Sequence, residues 1–180
     1  MTLRVREILP EEYEALGEVT VAAYLTVGEE GHDGYLDVVR DTALRAASCP
    51  VLVAVDGDGR VLGGVTYVLG PGTPYSESER EGEAGFRMLA VDPAGGQGRG
   101  AGRALVQACI DRARSEGRSR IVLLTRPRMT AAQRLYQKMG FRRAPERDWV
   151  AAPGVELLGF ELDLDPETPP DGSPAADRAD

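Results

Sequence analysis

A glycine-rich segment between a predicted strand and a predicted helix constrains the fold of this chain more than any other feature. The mostly apolar stretch 86–91 predicts a strand that ends at Asp92-Pro93, and glycines follow at positions 95, 96, 98, 100 and 102. The next helix has one apolar face at regular helical spacing, made of Gly102, Leu105, Val106, Cys109, Ile110 and Ala113. Glycines allow tight turns, and a helix N-terminus offers free amides and partial positive charge. The segment therefore predicts a phosphate or pyrophosphate site.

Three other interpretations of this segment compete with a pyrophosphate site. A plain flexible connection does not need so many glycines directly before a helix. A phosphate-binding loop of the Gly-Lys-Ser/Thr type needs a lysine, which the segment lacks. Gly96, Gly98 and Ala101 match the spacing of a dinucleotide-binding loop. However, several residues separate them from the strand, and the next strand ends in Thr125-Arg126 rather than an acid. We therefore reject the dinucleotide-binding fold.

The rest of the chain alternates strands and helices around this segment. Apolar patterns predict elements in the order β-α-α-β-β-β-α-β-α-β-β. The second helix is expected across residues 36–47, and Thr130 with Gln133 predicts a capping box at the start of the fourth. A length of 180 residues suits one domain, which we place at residues 1–164. Residues 165–180 are acidic and rich in Pro, which predicts a disordered tail.

Composition excludes several classes of protein. The formal net charge of −8 disfavours nucleic-acid binding, which needs clustered Lys and Arg. No apolar run is long enough to span a membrane, and the charged first residues favour a cytoplasmic location. Cys49 and Cys109 are expected to be buried thiols in a reducing compartment. Neither they nor His32 has the spacing of metal ligands, so we expect no metal.

Two motifs stand out. The first is Gln97-Gly98-Arg99-Gly100-Ala101-Gly102 after a predicted strand, and the second is Leu135-Tyr136 followed by Gly140-Phe141 at the end of a predicted helix. They resemble the signatures Q/R-x-x-G-x-G/A and L-Y-x-x-x-G-F of the GNAT superfamily of N-acetyltransferases. The resemblance covers residues 3–164 and implies one mixed α/β domain. Its central sheet would be mostly antiparallel, with about seven strands, a splayed parallel pair and about four flanking helices.

The resemblance implies acetyl-CoA as the acyl donor and assigns residues to it. In the family, amides of the glycine-rich loop hold the pyrophosphate of CoA, and the preceding strand pairs with the pantetheine arm. The residues implied here are Leu89, Val91, Gln97, Gly98, Arg99, Gly100, Ala101, Gly102 and Arg103. One position departs from the family: Met129 stands where relatives often have an asparagine that contacts the cofactor. That side-chain contact is missing or replaced in this chain.

Two catalytic residues are predicted. In similar enzymes a tyrosine at the position of Tyr136 protonates the leaving thiolate. Many relatives carry a glutamate base at the position of Gly85, where this chain has no side chain. We nominate Glu83 instead, because strand alternation would put the odd-numbered residues from 83 to 91 on one side. The two cysteines lack a neighbouring base, so a cysteine nucleophile is not expected.

The expected reaction is direct transfer of an acetyl group from acetyl-CoA to a primary amine. The acceptor is a small molecule or a peptide, and its identity lies beyond the sequence. The candidate lining residues of its cleft are Tyr24, Tyr35, Tyr67, Tyr75 and Trp149. Neither nucleic acid nor membrane is an expected partner, and a homodimer remains open. Two alternatives stand beside the enzyme: an inactive acyl-CoA-binding sensor, which would be expected to lack Tyr136, and a partner-binding module that works through the acidic tail.

Overall fold

The computed structural model describes residues 2–28 and 34–164, so His32 and the predicted tail at 165–180 lie outside the described residues. The described part contains eight strands and five α-helices. The strands are β1 (Arg4–Glu7), β2 (Val51–Val55), β3 (Val61–Val68), β4 (Glu83–Val91), β5 (Arg120–Thr125), β6 (Arg142–Arg143), β7 (Trp149–Ala152) and β8 (Val155–Asp163). The helices are α1 (Tyr13–Thr26), α2 (Tyr35–Arg40), α3 (Thr42–Ser48), α4 (Ala101–Ser115) and α5 (Thr130–Lys138).

The strands form one mostly antiparallel sheet. Its order is β1-β2-β3-β4-β5-β8-β6, and β7 pairs with β8 as the outer arm of a hairpin. Within the described residues, β4 and β5 are the one parallel pair. The predicted mixed α/β fold with a parallel pair is therefore confirmed, with one more strand and one more helix than the sequence pattern predicts.

The main hydrophobic core lies between the sheet and α4. Leu105, Val106 and Cys109 are fully buried there, so the predicted apolar face of α4 is confirmed. Full burial of a leucine or valine side chain contributes about 1.5–3 kcal/mol, and such contacts fix α4 and the loop before it against the sheet. On the opposite face of the sheet, a smaller cluster packs Leu16 of α1 against Val51 and Val53 of β2.

The predicted second helix is wrong as a single element, because the chain breaks at Asp41. Asp41 has a ψ of 75°, outside the helical range, and its carboxylate accepts a hydrogen bond from the Leu44 amide at 2.9 Å. This is an N-cap, which ends α2 and begins α3 in a new direction. The change of direction leaves Leu44 57% exposed and buries Arg45 instead.

Two expectations from composition can be compared with the structure. No helix in the described part of the chain is both long enough and apolar enough to cross a membrane. Cys49 and Cys109 are free and buried, as predicted. Burial raises the pKa of both thiols, which keeps them neutral and therefore poorly nucleophilic at physiological pH.

A buried ion cluster joins β4 and β8 to the segment before β7. Arg147 donates to both oxygens of Glu83, at 2.6 and 3.0 Å, and to Glu161 at 2.8 Å. Arg120 lies 3.4 Å from Glu83 and 3.5 Å from Glu161. The side chains of Glu83, Glu161 and Arg147 are 6%, 2% and 1% exposed, so water contributes little to the solvation of these charges. The two carboxylates depend on the arginines instead.

Replacing Arg147 is expected to destabilise the fold strongly. Arg147→Met keeps an unbranched apolar side chain but leaves two buried carboxylates without their main partner, which costs about 3–5 kcal/mol. Urea unfolding followed by circular dichroism measures the loss. Arg40→Met is the control, because the pair of Arg40 with Glu18 is 47% and 61% exposed. Its loss is expected to stay below about 1 kcal/mol. Equal losses in the two variants would contradict this account of the cluster.

Candidate active site

Strands β4 and β5 separate soon after they meet. Their pairing is limited to residues 83–85 and 120–122, although β4 continues to Val91 and β5 to Thr125. Beyond this point β4 keeps its partner β3, and β5 keeps its partner β8. The separation leaves a wedge-shaped gap bordered by the main chains of two strands. Open strand edges of this kind pair with extended ligands.

A β-bulge at Met88 lies beside this gap. Thr66 of β3 pairs with Arg87, and Gly64 pairs with Ala90, so β4 holds one residue more than β3 over this stretch. Met88 takes a left-handed φ of 52°, which is uncommon for a residue with a side chain. The extra residue drops out of the ladder, and its main-chain groups become available to a ligand.

The bulge overturns the predicted alternation of side chains along β4. Leu89 and Val91 pack against the α4 core together with Phe86, whereas Met88 packs among residues of α1 and α2. Since Phe86 faces α4, Glu83 faces the opposite side of the sheet. The prediction that residue 83 shares a side with 89 and 91 is therefore wrong, because one inserted residue reverses the faces.

The loop between β4 and α4 requires glycine at specific positions. A Cβ at Gly96 would lie 2.5 Å from the Leu62 carbonyl oxygen, so only glycine allows the loop to pack this closely on β3. Gly98 and Gly100 have left-handed φ values of 75° and 80°, and open space surrounds both. Asp92 fixes the start of the loop by accepting a hydrogen bond from the amide two residues later at 2.9 Å.

The N-terminus of α4 carries free amides. Gly100 precedes the helix, and the amide of Ala104 donates to the Gly100 carbonyl at 2.9 Å. The amides of residues 101–103 therefore have no carbonyl partner within the helix, and they form the positive end of its dipole. The first turn contains no acidic residue, and Arg103 is exposed beside it. This end of α4 suits a phosphate or pyrophosphate.

A cavity of about 540 Å³ joins the loop to the gap. Its lining residues come from the end of β4, the glycine-rich loop, the start of α4, the end of α1, and the segment before and at the start of α5. The predicted cofactor residues that line it are Leu89, Val91, Gln97, Gly98, Gly100, Ala101, Gly102 and Arg103. Arg99 points elsewhere, with its guanidinium 3.9 Å from Asp56.

Tyr24 of α1 and Met129, which the sequence analysis singles out, both line the cavity. Arg128, in the segment before α5, lines it too and was missed by sequence reasoning. Ala132 and Leu135 line the cavity from α5, and their shared helix face with Tyr136 was a visible signal for them. The other α1 residues of the lining, Ala23, Thr26 and Val27, had no comparable signal, because their place at the cavity depends on tertiary packing.

The predicted capping box at the start of α5 is wrong. The side-chain amide of Gln133 donates to the carbonyls of Arg126 and Pro127, each at 3.0 Å, rather than reaching back to cap the helix. Met129 is the N-cap residue, and its sulfur lies 3.7 Å from the Thr125 hydroxyl. Met129, which replaces the expected asparagine, thus lines the cavity but has no side-chain amide that could contact a cofactor.

Tyr136 lies within an aromatic cluster beside β4. Its ring centroid is 5.8–6.2 Å from those of Phe86, Phe141 and Phe160, and the residue is 5% exposed. Burial, and then the nearby Cys109 thiol, raises the pKa of Tyr136 above its usual value, so the phenol is protonated at neutral pH. Tyr136 is not part of the cavity lining. Burial and the neighbouring Tyr35 raise the pKa of Tyr24, which lines the cavity. The phenol of Tyr136 makes a smaller contribution in the same direction.

Glu83 lies apart from the cavity. It begins β4, at the end where β4 and β5 are still paired, and both of its oxygens accept hydrogen bonds from Arg147. The backbone amide of Arg80 donates a further hydrogen bond at 2.9 Å. The structure therefore does not bring Glu83 together with Tyr136 and the cofactor residues.

The aromatic residues predicted to line the acceptor cleft lie in different parts of the structure. Tyr24 lines the cavity, with its ring 6.0 Å from that of Tyr35. The prediction for Tyr67 is wrong, because its side chain is fully buried in the α4 core and donates to Glu116 at 2.9 Å. Trp149 is 45% exposed on the β7 hairpin.

Solved structures share this fold. A GNAT-family acetyltransferase from Staphylococcus aureus Mu50 has a TM-score of 0.72 at 15% identity, covering 91% of this chain and 100% of that chain. A GCN5-related N-acetyltransferase from Kribbella flavida has a TM-score of 0.65 at 29% identity, with coverages of 90% and 98%. A GNAT-family acetyltransferase from Brucella melitensis, solved with acetyl-CoA, has a TM-score of 0.61 at 27% identity, with coverages of 93% and 92%.

The family comparison covers most of the sequence. No curated protein matches the chain significantly. The model of the Acetyltransferase (GNAT) family matches residues 4–141, which include the glycine-rich loop, α4, α5 and Tyr136. By this match, and by the splayed strands and loop described above, the chain belongs to the GNAT family of acetyltransferases.

Proposed function

We propose that the protein is an acetyl-CoA-dependent N-acetyltransferase that acts on a primary amine of a small molecule or peptide. One observation carries the proposal: the gap between β4 and β5 leads to the free amides at the N-terminus of α4. This arrangement accepts an extended, strand-like ligand with a diphosphate near one end. The pantetheine and pyrophosphate of acetyl-CoA have this form.

The cavity residues fit acetyl-CoA. Gly98 and Gly100 have open space where side chains would stand, so a pyrophosphate can approach their amides closely. Leu89 and Val91 offer an apolar wall to the pantetheine arm, and Arg103 adds positive charge near the phosphates. The Brucella melitensis relative was solved in complex with acetyl-CoA, which supports the same donor for this chain.

Two groups of the chain would act on the thioester. Acetyl-CoA supplies an activated carbonyl and a thiol leaving group. Met88 and Leu89 have no register partner on β3, so their amides are candidates to polarise the carbonyl oxygen. Tyr136 holds a proton and would donate it to the departing sulfur. The apolar surroundings that raise the pKa of this phenol would also raise the pKa of a thiol beside it, which limits the energetic cost of the transfer.

The acceptor amine would attack directly. Burial keeps both cysteines neutral, so a covalent acyl-enzyme on sulfur is not part of the proposal. We assign catalysis to residues 1–164 and no catalytic part to residues 165–180. Tyr136 is present, which favours an enzyme over an inactive acyl-CoA-binding sensor.

Acetyl-CoA binding should depend on open space at Gly100. Gly100→Glu places a side chain and a negative charge where the pyrophosphate is expected, and the affinity should fall at least about 100-fold, since charge repulsion adds to steric exclusion. Isothermal titration calorimetry measures the change.

The matched control is Gly117→Glu at the other end of α4. Gly117 also has a left-handed φ, of 69°, and open space, so both substitutions carry similar backbone strain. We expect Gly117→Glu to bind acetyl-CoA like the wild type. No binding by the folded wild-type protein would contradict the proposed function.

Removing the Tyr136 hydroxyl should slow transfer without weakening donor binding. Tyr136→Phe retains the aromatic packing but loses the proton donor, and kcat should fall about 100-fold or more. Release of free CoA thiol with a panel of primary amines measures kcat, and calorimetry checks donor affinity. Tyr67→Phe removes another buried tyrosine hydroxyl outside the site and should retain activity.

Two results would contradict this role. An unchanged kcat in Tyr136→Phe would exclude the phenol as the proton donor. Acetyl-CoA binding by the wild type without transfer to any amine would favour the acyl-CoA-binding sensor instead.

A further inference from the structure

The carboxylate of Glu79 occupies the space above Gly85. A Cβ built on Gly85 would lie 2.1 Å from Oε1 of Glu79 and 2.9 Å from its Cδ. No side chain therefore fits at position 85 while Glu79 keeps this position. The backbone of Gly85 is not in the left-handed region, so the glycine is required by the neighbouring carboxylate rather than by its own conformation.

One oxygen of Glu79 is held and the other is not. Oε2 accepts hydrogen bonds from the Ser76 hydroxyl at 2.9 Å and from the amides of Glu77 and Ser78 at 2.8 and 3.2 Å. Oε1 has no donor within hydrogen-bonding distance among the described residues, and Arg87 lies 3.7 Å from it. The side chain is 1% exposed. The 70–82 loop, which connects β3 to β4, thus holds a buried carboxylate by one oxygen and leaves the other oxygen without a hydrogen-bond donor.

The other buried carboxylates of the described residues have both oxygens occupied. Glu83 accepts from Arg147 on both oxygens. Glu161 is bound by Arg147 on one oxygen and lies 2.7 Å from Arg142 on the other. Asp92 accepts from a loop amide and from Arg60. Among the buried acids of the described residues, Glu79 is distinguished by an oxygen that accepts no hydrogen bond and has only a distant arginine beside it.

Glu79 also lies where the gap begins. Gly85 is the last residue of β4 that pairs with β5. The next residue, Phe86, points to the opposite face of the sheet, and its ring centroid lies 5.8 Å from that of Tyr136. Glu79 and Tyr136 therefore lie on opposite faces of β4, beside consecutive residues at the inner end of the gap. A base and an acid on opposite sides of the reacting carbonyl are what direct acyl transfer requires.

We propose that Glu79 is the general base that removes a proton from the acceptor amine, and this inference rests on the proposed acetyltransferase function. Oε1 takes one proton from the protonated amine, directly or through one water, and later releases it to solvent. The nitrogen lone pair then forms the bond to the carbonyl carbon, and the carbon–sulfur bond breaks with its electrons on sulfur. Tyr136 protonates the sulfur, and the second nitrogen proton restores its phenol. The role that sequence reasoning gave to Glu83 passes to a carboxylate from the 70–82 loop.

Other charged and titratable groups face Glu79. Arg87 from β4 lies against its free oxygen, Glu77 lies in the same loop and is paired with Arg87, and Cys49 lies at the end of α3. Burial raises the pKa of the Cys49 thiol, so it is neutral in the working pH range. Burial raises the pKa of Glu77, against the lowering effect of its partner Arg87, so Glu77 needs its own control variant. Geometry singles out Glu79, because its Oε1 accepts no hydrogen bond among the described residues.

The test compares Glu79→Gln with the wild type across pH, using an acceptor found in the amine panel. We expect kcat/KM to fall about 10²–10⁴-fold near neutral pH, with donor affinity unchanged. The loss should shrink as the pH rises towards the pKa of the acceptor amine, because a neutral amine no longer needs a base. A purely structural role would not produce this pH dependence. Glu77→Gln removes a neighbouring loop carboxylate and should keep the wild-type profile.

A second variant moves the carboxylate to the strand. Glu79→Ala alone should lose activity, and Gly85→Glu alone should be destabilised by the clash with Glu79. The double variant Glu79→Ala/Gly85→Glu has room for the new side chain and should recover at least tenfold over Glu79→Ala. This rescue decides the matter if glutamine at position 79 impairs folding.

Two outcomes separate this proposal from the function on which it rests. A Glu79→Gln enzyme with wild-type kcat/KM at every pH, in a protein that binds acetyl-CoA and acetylates amines, would overturn the role of Glu79 alone. Absence of acetyl transfer by the wild type would overturn both, and the amine panel reveals this before any variant is compared.

Discussion

The divergence of β4 and β5 after Gly85 and Val122 is the constraint on which the rest of the structure depends. A paired strand at this place would satisfy the main chain of both neighbours and leave no room for a ligand. Each buried main-chain group left without a partner costs about 1–3 kcal/mol, so the open gap must be held by interactions elsewhere. The fold supplies them on both outer sides, where β3 pairs with β4 and the whole of β5 pairs with β8.

The two ends of the gap are held by different means. At the inner end, Glu83 pairs in register with Arg120 and is bound by Arg147. These ion pairs hold β4 and β5 together where the two strands are still hydrogen-bonded. At the outer end, the buried face of α4 fixes the helix N-terminus against the sheet. Because both ends are set by buried contacts, the gap is a built feature of the fold. It runs from the last paired residues of β4 and β5 towards the amides of the glycine-rich loop.

Sequence reasoning recovered the parts of the site that depend on local patterns. The α4 face and the glycine-rich loop follow from helical spacing and from backbone demands that glycine alone meets, such as the close contact at Gly96. It failed where tertiary contacts decide. A single inserted residue at Met88 reversed the faces of β4, and no periodicity in the sequence marks it. The break at Asp41 had a visible signal in its capping side chain.

Glu79 shows why a carboxylate base is hard to find from sequence. Its position above Gly85 depends on how the 70–82 loop folds back on β4, and strand alternation carries no information about a loop. Glu83 had the right chemistry and the right strand, but its oxygens are committed to arginines whose distance along the chain hides the pairing. The glycine at 85 was the one local sign that something else fills that space.

The central claim is that an extended acyl donor occupies the gap between β4 and β5 and ends at the α4 N-terminus. Amide hydrogen exchange, with and without saturating acetyl-CoA, tests it most directly. The account predicts slower exchange in residues 86–91 and 97–103, with little change along β1, β2 and the β7 hairpin. Protection that appears elsewhere, or no protection at saturating donor, would contradict it.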